Sequence, residues 1–182
     1  MSDRKALRAD AQRNRDAIIA AARSVFDDDQ QLRFDDFAAR AGVGVGTLYR
    51  HFPTREALAA AVYQGEVETL CEQARDATRP AGESLDAFLR AFVEYMVDHA
   101  ALARNLAAVV DPATQAAGGS ELERTVVELI TRAADEGAIR DDVSPGAVMI
   151  MLHGIGSASD RPQWASEARA VAELISRGLA AR

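Results

Sequence analysis

The sequence predicts an all-α protein of about nine helices. Three observations carry that expectation. Apolar side chains recur at three- and four-residue spacing, helix-start residues stand in front of these runs, and strand-like alternation of apolar and polar residues is lacking.

The first helix is expected over residues 10–27, where Ile18, Ala22, Val25 and Phe26 line one face and arginines occupy the remaining arc. The stretch "DDDQQLR" at 27–33 interrupts it. A short helix follows with Phe34, Phe37, Ala38 and Ala41, ending at Gly42, which suits the left-handed position after a helix. Another short helix is expected over 45–52. Thr54 then caps a long helix that runs to residue 77 through Leu58, Val62, Val67, Leu70 and Ala74, with Gly65 a weak point inside it. "RPAGE" at 79–83 closes that helix, and Ser84 is placed to cap the next. "DPATQAAGG" at 111–119 is the most loop-like segment, after which Ser120 and Glu123 form a capping box for a helix to about Glu136. Ser144 with Pro145 opens a further helix, and "RPQW" at 161–164 opens the last one.

Composition narrows the classes of function. A chain of 182 residues, 48% of them hydrophobic, is long enough to bury roughly 70% of its unfolded surface, in one or two domains. No run approaches the ~18 apolar residues of a membrane span, and the arginine-rich first twenty residues lack a secretion signal, so the expected location is the cytoplasm. Cys71 is the single cysteine, which excludes an intrachain disulfide and reads as a buried, inert thiol. The net charge of −7 is unevenly spread: residues 1–55 hold ten Arg and Lys against eight Asp and Glu, a balance of +2, and the remainder carries −9. Contact with nucleic acid therefore belongs to the first third, and the acidic part should face away from phosphates.

The informative segment is "AGVGVGTLYRHF", residues 41–52. Its glycines do not follow a strand and lack the spacing of a dinucleotide fingerprint, and no Gly-Lys-Ser/Thr ending is present. On a helical wheel Val45, Leu48 and Phe52 share one arc, with Tyr49 at its rim, while Gly46, Thr47, Arg50 and His51 occupy the other side. Two short helices joined by a glycine turn are the arrangement of a helix-turn-helix, whose second helix enters the major groove. Thr47, Tyr49 and His51 can bond phosphates, and Arg50 a phosphate or a guanine edge. The competing reading is a tight helix corner whose polar groups are satisfied by neighbours.

Residues 13–58, "RNRDAIIAAARSVF…FDDFAARAGVGVGTLYRHFPTREAL", resemble the DNA-binding domain of the TetR family of bacterial transcriptional regulators. The resemblance implies a three-helix DNA-binding domain at 1–55 and a helical ligand-binding and dimerisation domain at 56–182. It assigns DNA contact to Gly44, Val45, Gly46, Thr47, Tyr49, Arg50 and His51, and a phosphate contact to Arg55; Leu48 and Phe52 align with packing positions. Two positions depart from the family pattern. Arg33 and Phe34 stand where a capping Thr or Ser is usual, so Arg33 inherits the phosphate contact, and Gly44 replaces the usual Ser of the turn.

For the second domain the resemblance implies a homodimer on a palindromic double-stranded DNA operator, released by a small-molecule effector. The last two helices, "MLHGIGSA" and the face of Val171, Leu174, Ile175 and Leu179, are the expected subunit contact. Candidate effector contacts are Phe88, Phe92, Tyr95, Met96 and His99, then Leu102 and Leu106, and finally Met149, His153 and Trp164. Such bulky, adaptable side chains suit a mostly apolar pocket, although a stripe of this kind is more often plain core. The helix 54–77 would carry the ligand signal, with 111–119 as a gate. Neither a metal nor another cofactor is implied, because two histidines lack a carboxylate or cysteine pattern and no catalytic triad stands out. Two alternative readings are a small-molecule binding or sequestering protein whose DNA domain has decayed and a helical enzyme.

Overall fold

A computed structural model describes residues 2–75 and 79–181, which contain nine α-helices. They are α1 (Ser2–Asp27), α2 (Asp36–Arg40), α3 (Val45–His51), α4 (Arg55–Ala74), α5 (Ala81–Asp98), α6 (Ala100–Val109), α7 (Pro112–Asp135), α8 (Pro145–Ser157) and α9 (Trp164–Leu179). The expected all-α class holds. The continuation of the long fourth helix to residue 77 lies outside the described residues.

The helices form two compact units. The first comprises residues 1–65 and 101–115, the second 66–100 and 116–182. The division runs through α4 after Gly65, and the first unit also takes in α6 from residue 101 and the first turn of α7.

In the first unit the apolar stripe of α1 (Ile18, Ala22, Val25, Phe26) meets Phe37 and Ala38 of α2, Leu48 of α3, and Leu58, Ala59 and Val62 of α4. Leu102, Leu106 and Val110 complete that core from the distant segment. Polar side chains close the helix ends. At the end of α1 Asp29 takes a left-handed conformation (φ 53°), and the Asn105 amide donates to the Phe26 carbonyl at 2.7 Å, satisfying a group that the helix leaves open. The Gln115 amide does the same for α6, donating to the Val110 carbonyl at 2.6 Å.

In the second unit α5 lies along α9. Leu85, Phe88, Leu89, Phe92 and Val93 pack with Trp164, Ala168, Ala172, Ile175 and Leu179, and with apolar residues of α7 and α8. Arg169 of α9 grips both carboxylate oxygens of Glu94 on α5, at 2.8 to 3.1 Å. Cys71 is free and buried.

Three local expectations are corrected. The segment 111–119 is not a loop: Pro112 occupies the first turn of α7, and Asp111 accepts from the Thr114 N–H (3.0 Å) and hydroxyl (2.6 Å). The Asp-Pro pair is thus a helix start, which removes the gate placed there. Ser120 and Glu123 consequently lie inside α7 and form no capping box. Ser84 is buried within α5 rather than capping it; α5 begins three residues earlier, and the N–H of Ala81 is met by the Glu136 carboxylate at 2.7 Å. The caps at Thr54 and Ser144 and the left-handed Gly42 (φ +68°) are as expected. Close by, Ala138 sits so near Gly82 that a Cβ there would fall 2.6 Å from its methyl carbon. Only glycine fits that contact.

Candidate nucleic-acid interface

The helix α3 is short because glycine bounds it on one side and proline follows on the other. Gly42 turns the chain after α2, Gly44 leads into α3 in extended conformation (φ −74°, ψ 148°), and Phe52 leaves the helix just before Pro53. Leu48 and Phe52 anchor it, at 0% and 3% exposure. Burying two such side chains supplies about 1.5–3 kcal/mol each, enough to fix a helix too short to persist alone.

The outward face carries Gly44, Val45, Gly46, Tyr49 and Arg50, all exposed, with Thr47 and His51 half-buried beside them. Val45 departs from the helical wheel, which groups it with Leu48 and Phe52. At 46% exposure it is open to solvent, at the first position of α3, a full turn ahead of the next buried residue, Leu48. Gly44 and Gly46 both border open space, so the backbone at the start of α3 is bare.

Tyr49 is fixed from two sides. Its hydroxyl donates to Asp35 Oδ1 at 2.8 Å, and its ring meets Phe34 edge to face at 5.3 Å. The bond to the carboxylate is the main reason the phenol is held above its ordinary pKa, so it stays protonated at neutral pH. The sequence marks Phe34 as an apolar position of the second helix but not as a partner of Tyr49, and it does not mark Asp35 at all. The contact spans fourteen residues across a turn, and helical periodicity carries no signal of that range.

Arg33 is exposed, and its backbone N–H donates to Asp36 at 3.1 Å, leaving the guanidinium on the surface. Arg55 differs. Its Nη1 donates to the Leu32 carbonyl at 2.7 Å, and its guanidinium lies 5.3 Å from the ring centres of both Phe26 and Phe37. The side chain ties α1, α2 and α4 together, so any phosphate contact falls to its remaining N–H groups.

The ten candidate effector contacts separate. Leu102 and Leu106 belong to the core of the first unit, whereas Phe88, Phe92, Met149 and Trp164 are buried in the core of the second. The Trp164 indole N–H donates to the Ile155 carbonyl near the end of α8 at 2.6 Å. Tyr95 and Met96 are half-buried at the edge of that core; the Tyr95 hydroxyl donates to Glu66 at 2.7 Å and its ring meets His99 at 5.1 Å. His153 is exposed, with Nδ1 2.8 Å from the Met149 carbonyl. Two open clefts of about 390 and 520 Å³ lie elsewhere on the second unit, lined by Leu85, Asp86 and Ser176 in one and by Met151, Val171 and Leu174 in the other. Among the described residues no cluster of His, Cys, Asp and Glu is placed to hold a metal ion, and no helix is long and apolar enough to cross a membrane.

Residues 18–62 match the family described as bacterial regulatory proteins, tetR family, and residues 79–181, more than half of the chain, match the C-terminal domain of SbtR-like transcriptional regulators. The chain belongs to the TetR family of transcriptional regulators. A TetR transcriptional regulator from Streptomyces coelicolor is 36% identical with a TM-score of 0.72, over 92% of this chain and 98% of that one. Another, from Mycobacterium vanbaalenii, is 32% identical with a TM-score of 0.76, over 96% and 99%. An HTH-type transcriptional regulator of Staphylococcus aureus is 31% identical over 101 residues, 53% of this chain and 55% of that protein, so the chain spans about half the length of the curated relatives it matches. The regulator FadR from Bacillus subtilis, seen in complex with stearoyl-CoA, shares the fold at 16% identity, with a TM-score of 0.66 over 90% of this chain and 98% of that one. The TetR family consists of regulators rather than enzymes, and the helix-turn-helix of this member comprises α2 and α3.

Proposed function

We propose that this TetR-family member is a cytoplasmic repressor that binds a palindromic double-stranded DNA operator as a homodimer and is released by a small, mostly apolar effector. The observation that carries the reading is the division of α3 into a face anchored by Leu48 and Phe52 and an exposed face of Val45, Gly46, Tyr49 and Arg50. Arg50 is the candidate for a guanine edge and Val45 for a thymine methyl. Thr47, His51 and Arg33 are the candidates for phosphate contacts, and the bare Gly44 and Gly46 let the backbone approach. Arg55 contributes with whatever donors its inward contacts leave.

The dimer reading is supported by apolar side chains that the second unit leaves uncovered. Ile150 (74% exposed) and Met151 (40%) on α8 and Leu174 (66%) on α9 stand among the small residues Gly154 and Gly178. Ile175 and Leu179, of the same helix, lie in the core of that unit. Two recognition helices about 34 Å apart would match a two-fold operator.

The effector is proposed to enter the second unit beside Tyr95 and Met96, where Phe88, Phe92, Met149, His99 and Trp164 are near in sequence or core. Entry requires side chains to repack, which Met tolerates well. The FadR neighbour is a precedent for an apolar ligand on this fold. Ligand-driven displacement of α4, which contributes to both units, is the proposed link, and a coupling of about 1–3 kcal/mol is sufficient.

The test is selection of DNA from a random pool by the full chain, followed by gel shifts. Specific, salt-sensitive binding that is lost in Tyr49→Ala and Arg50→Ala supports the reading. No selected sequence, or full binding by both variants, overturns it. An effector screen by thermal shift, scored for release of the selected DNA, tests the second half.

A further inference from the structure

Asp35 stands at the threshold of α2 yet makes no capping hydrogen bond there. Its neighbour Asp36 closes the local turn by accepting the Arg33 N–H. The Asp35 carboxylate instead reaches across the turn to the hydroxyl of Tyr49, whose ring Phe34 already holds. A negative charge beside a surface that meets phosphates opposes binding of any DNA, whatever its sequence. A tyrosine whose hydroxyl is free donates to any phosphate in reach, which again carries no sequence information. The bond between the two groups removes that donor and immobilises a half-exposed ring in advance.

We propose that Asp35 is a positioning residue for DNA recognition, holding Tyr49 so that it meets the duplex with a fixed ring and an acceptor oxygen instead of a donor to phosphate. Asp35 thereby weakens sequence-blind binding and sharpens discrimination. Tyr49 touches DNA; Asp35 acts through it. The inference rests on the proposed function, because it takes α3 as the DNA-reading helix.

The experiment uses the full chain, a fragment that the wild-type protein selects from a random pool, and a scrambled fragment of equal length. Dissociation constants for both are measured across a salt series for wild type, Asp35→Asn, Asp35→Ala, Tyr49→Phe and the Asp35→Ala/Tyr49→Phe double variant, with a thermal melt for each. Asp35→Ala is expected to bind scrambled DNA more tightly and to lower the ratio of selected to scrambled affinity about fivefold, a size ordinary for a coupled pair. Asp35→Asn, which keeps an acceptor for the hydroxyl but loses the charge, should fall between wild type and Asp35→Ala. Tyr49→Phe should lower the ratio as well, and Asp35→Ala should add less than about twofold in that background.

The proposal is overturned if the two single effects multiply in the double variant, or if Asp35→Asn and Asp35→Ala behave alike. It also falls if both affinities drop in proportion with the melting temperature while the ratio stays at the wild-type value, the result of a purely structural role. Failure of the wild-type chain to select any fragment is a different outcome, and it removes the DNA-binding reading together with this one.

Discussion

The guanidinium of Arg55 donates to the main-chain carbonyl of Leu32 at 2.7 Å, which ties the first turn of α4 to the segment entering α2. The rings of Phe26 and Phe37 lie within 5.3 Å of the same cation, so a planar donor is held between two aromatic groups and a carbonyl. Lysine cannot reproduce this, because it has no flat face to stack and no fork of donors. Arg55→Lys is expected to destabilise the fold by about 1–2 kcal/mol, and Arg55→Met by a similar amount, read as a lowered Tm. If Arg55 serves only as a phosphate cation, Arg55→Lys will melt like wild type and only Arg55→Met will lose DNA affinity.

The start of α3 makes a separate prediction. A methyl at Gly46 meets nothing within 4 Å, and alanine favours a helical backbone more than glycine does. Gly46→Ala should therefore leave the melting temperature unchanged or raise stability by up to about 1 kcal/mol. If the backbone there closes on the duplex, the same methyl should weaken binding to a selected DNA fragment by roughly tenfold, or about 1.4 kcal/mol. Equal affinity of the variant and wild type would show that this turn stands off from DNA.

Much of this architecture is legible in the sequence because it rests on local causes. The 3.6-residue rhythm of Ile18, Ala22 and Val25, the hydroxyl of Thr54, the proline at 145 and the glycine at 42 each act within one turn of themselves. The burial of Leu48 and Phe52 was legible for the same reason. What escaped depends on partners far along the chain. The start of α5 is met by Glu136, fifty-five residues away, and Tyr49 is held by Asp35 across the turn. Leu102 and Leu106 look like any apolar helix stripe, and only their place in one buried cluster with residues of α1 to α4 assigns them to the first unit. Periodicity says that a face is buried but not against what.

Asp111 links helix formation to pH. Its carboxylate accepts from the hydroxyl and N–H of Thr114, and these bonds hold it below the ordinary value of 3.8. A carboxylate with a lowered folded-state pKa adds stability above its unfolded value and loses that contribution as the pH falls through the folded one. Asp111→Ala should therefore melt below wild type at pH 7, and the gap should narrow as the pH drops below about 4. Asp111→Asn keeps an acceptor without a charge and should show a smaller, pH-independent deficit. A gap that is constant from pH 7 to pH 3 would mean that the carboxylate is not what starts α7.

The exposed apolar residues of α8 and α9 bear on assembly and on DNA affinity together. Leu174 is 66% exposed on a helix where Trp164, Ile175 and Leu179 are buried and Val171 partly so, and Ile150 is 74% exposed on α8. A glutamate at either position meets water in a monomer and should cost almost nothing in stability, since neither side chain belongs to the core. In a dimer closed by these helices the same glutamate is desolvated opposite its own two-fold copy, where neither charge has a partner. Leu174→Glu and Ile150→Glu are therefore expected to sediment at half the wild-type mass with little change in helical content. Operator affinity should fall by well over about tenfold, because a single recognition helix loses the contribution of the second half-site. If both variants remain dimeric, the subunit contact lies elsewhere; if both are monomeric but bind DNA as well as wild type, the operator is read by one chain alone.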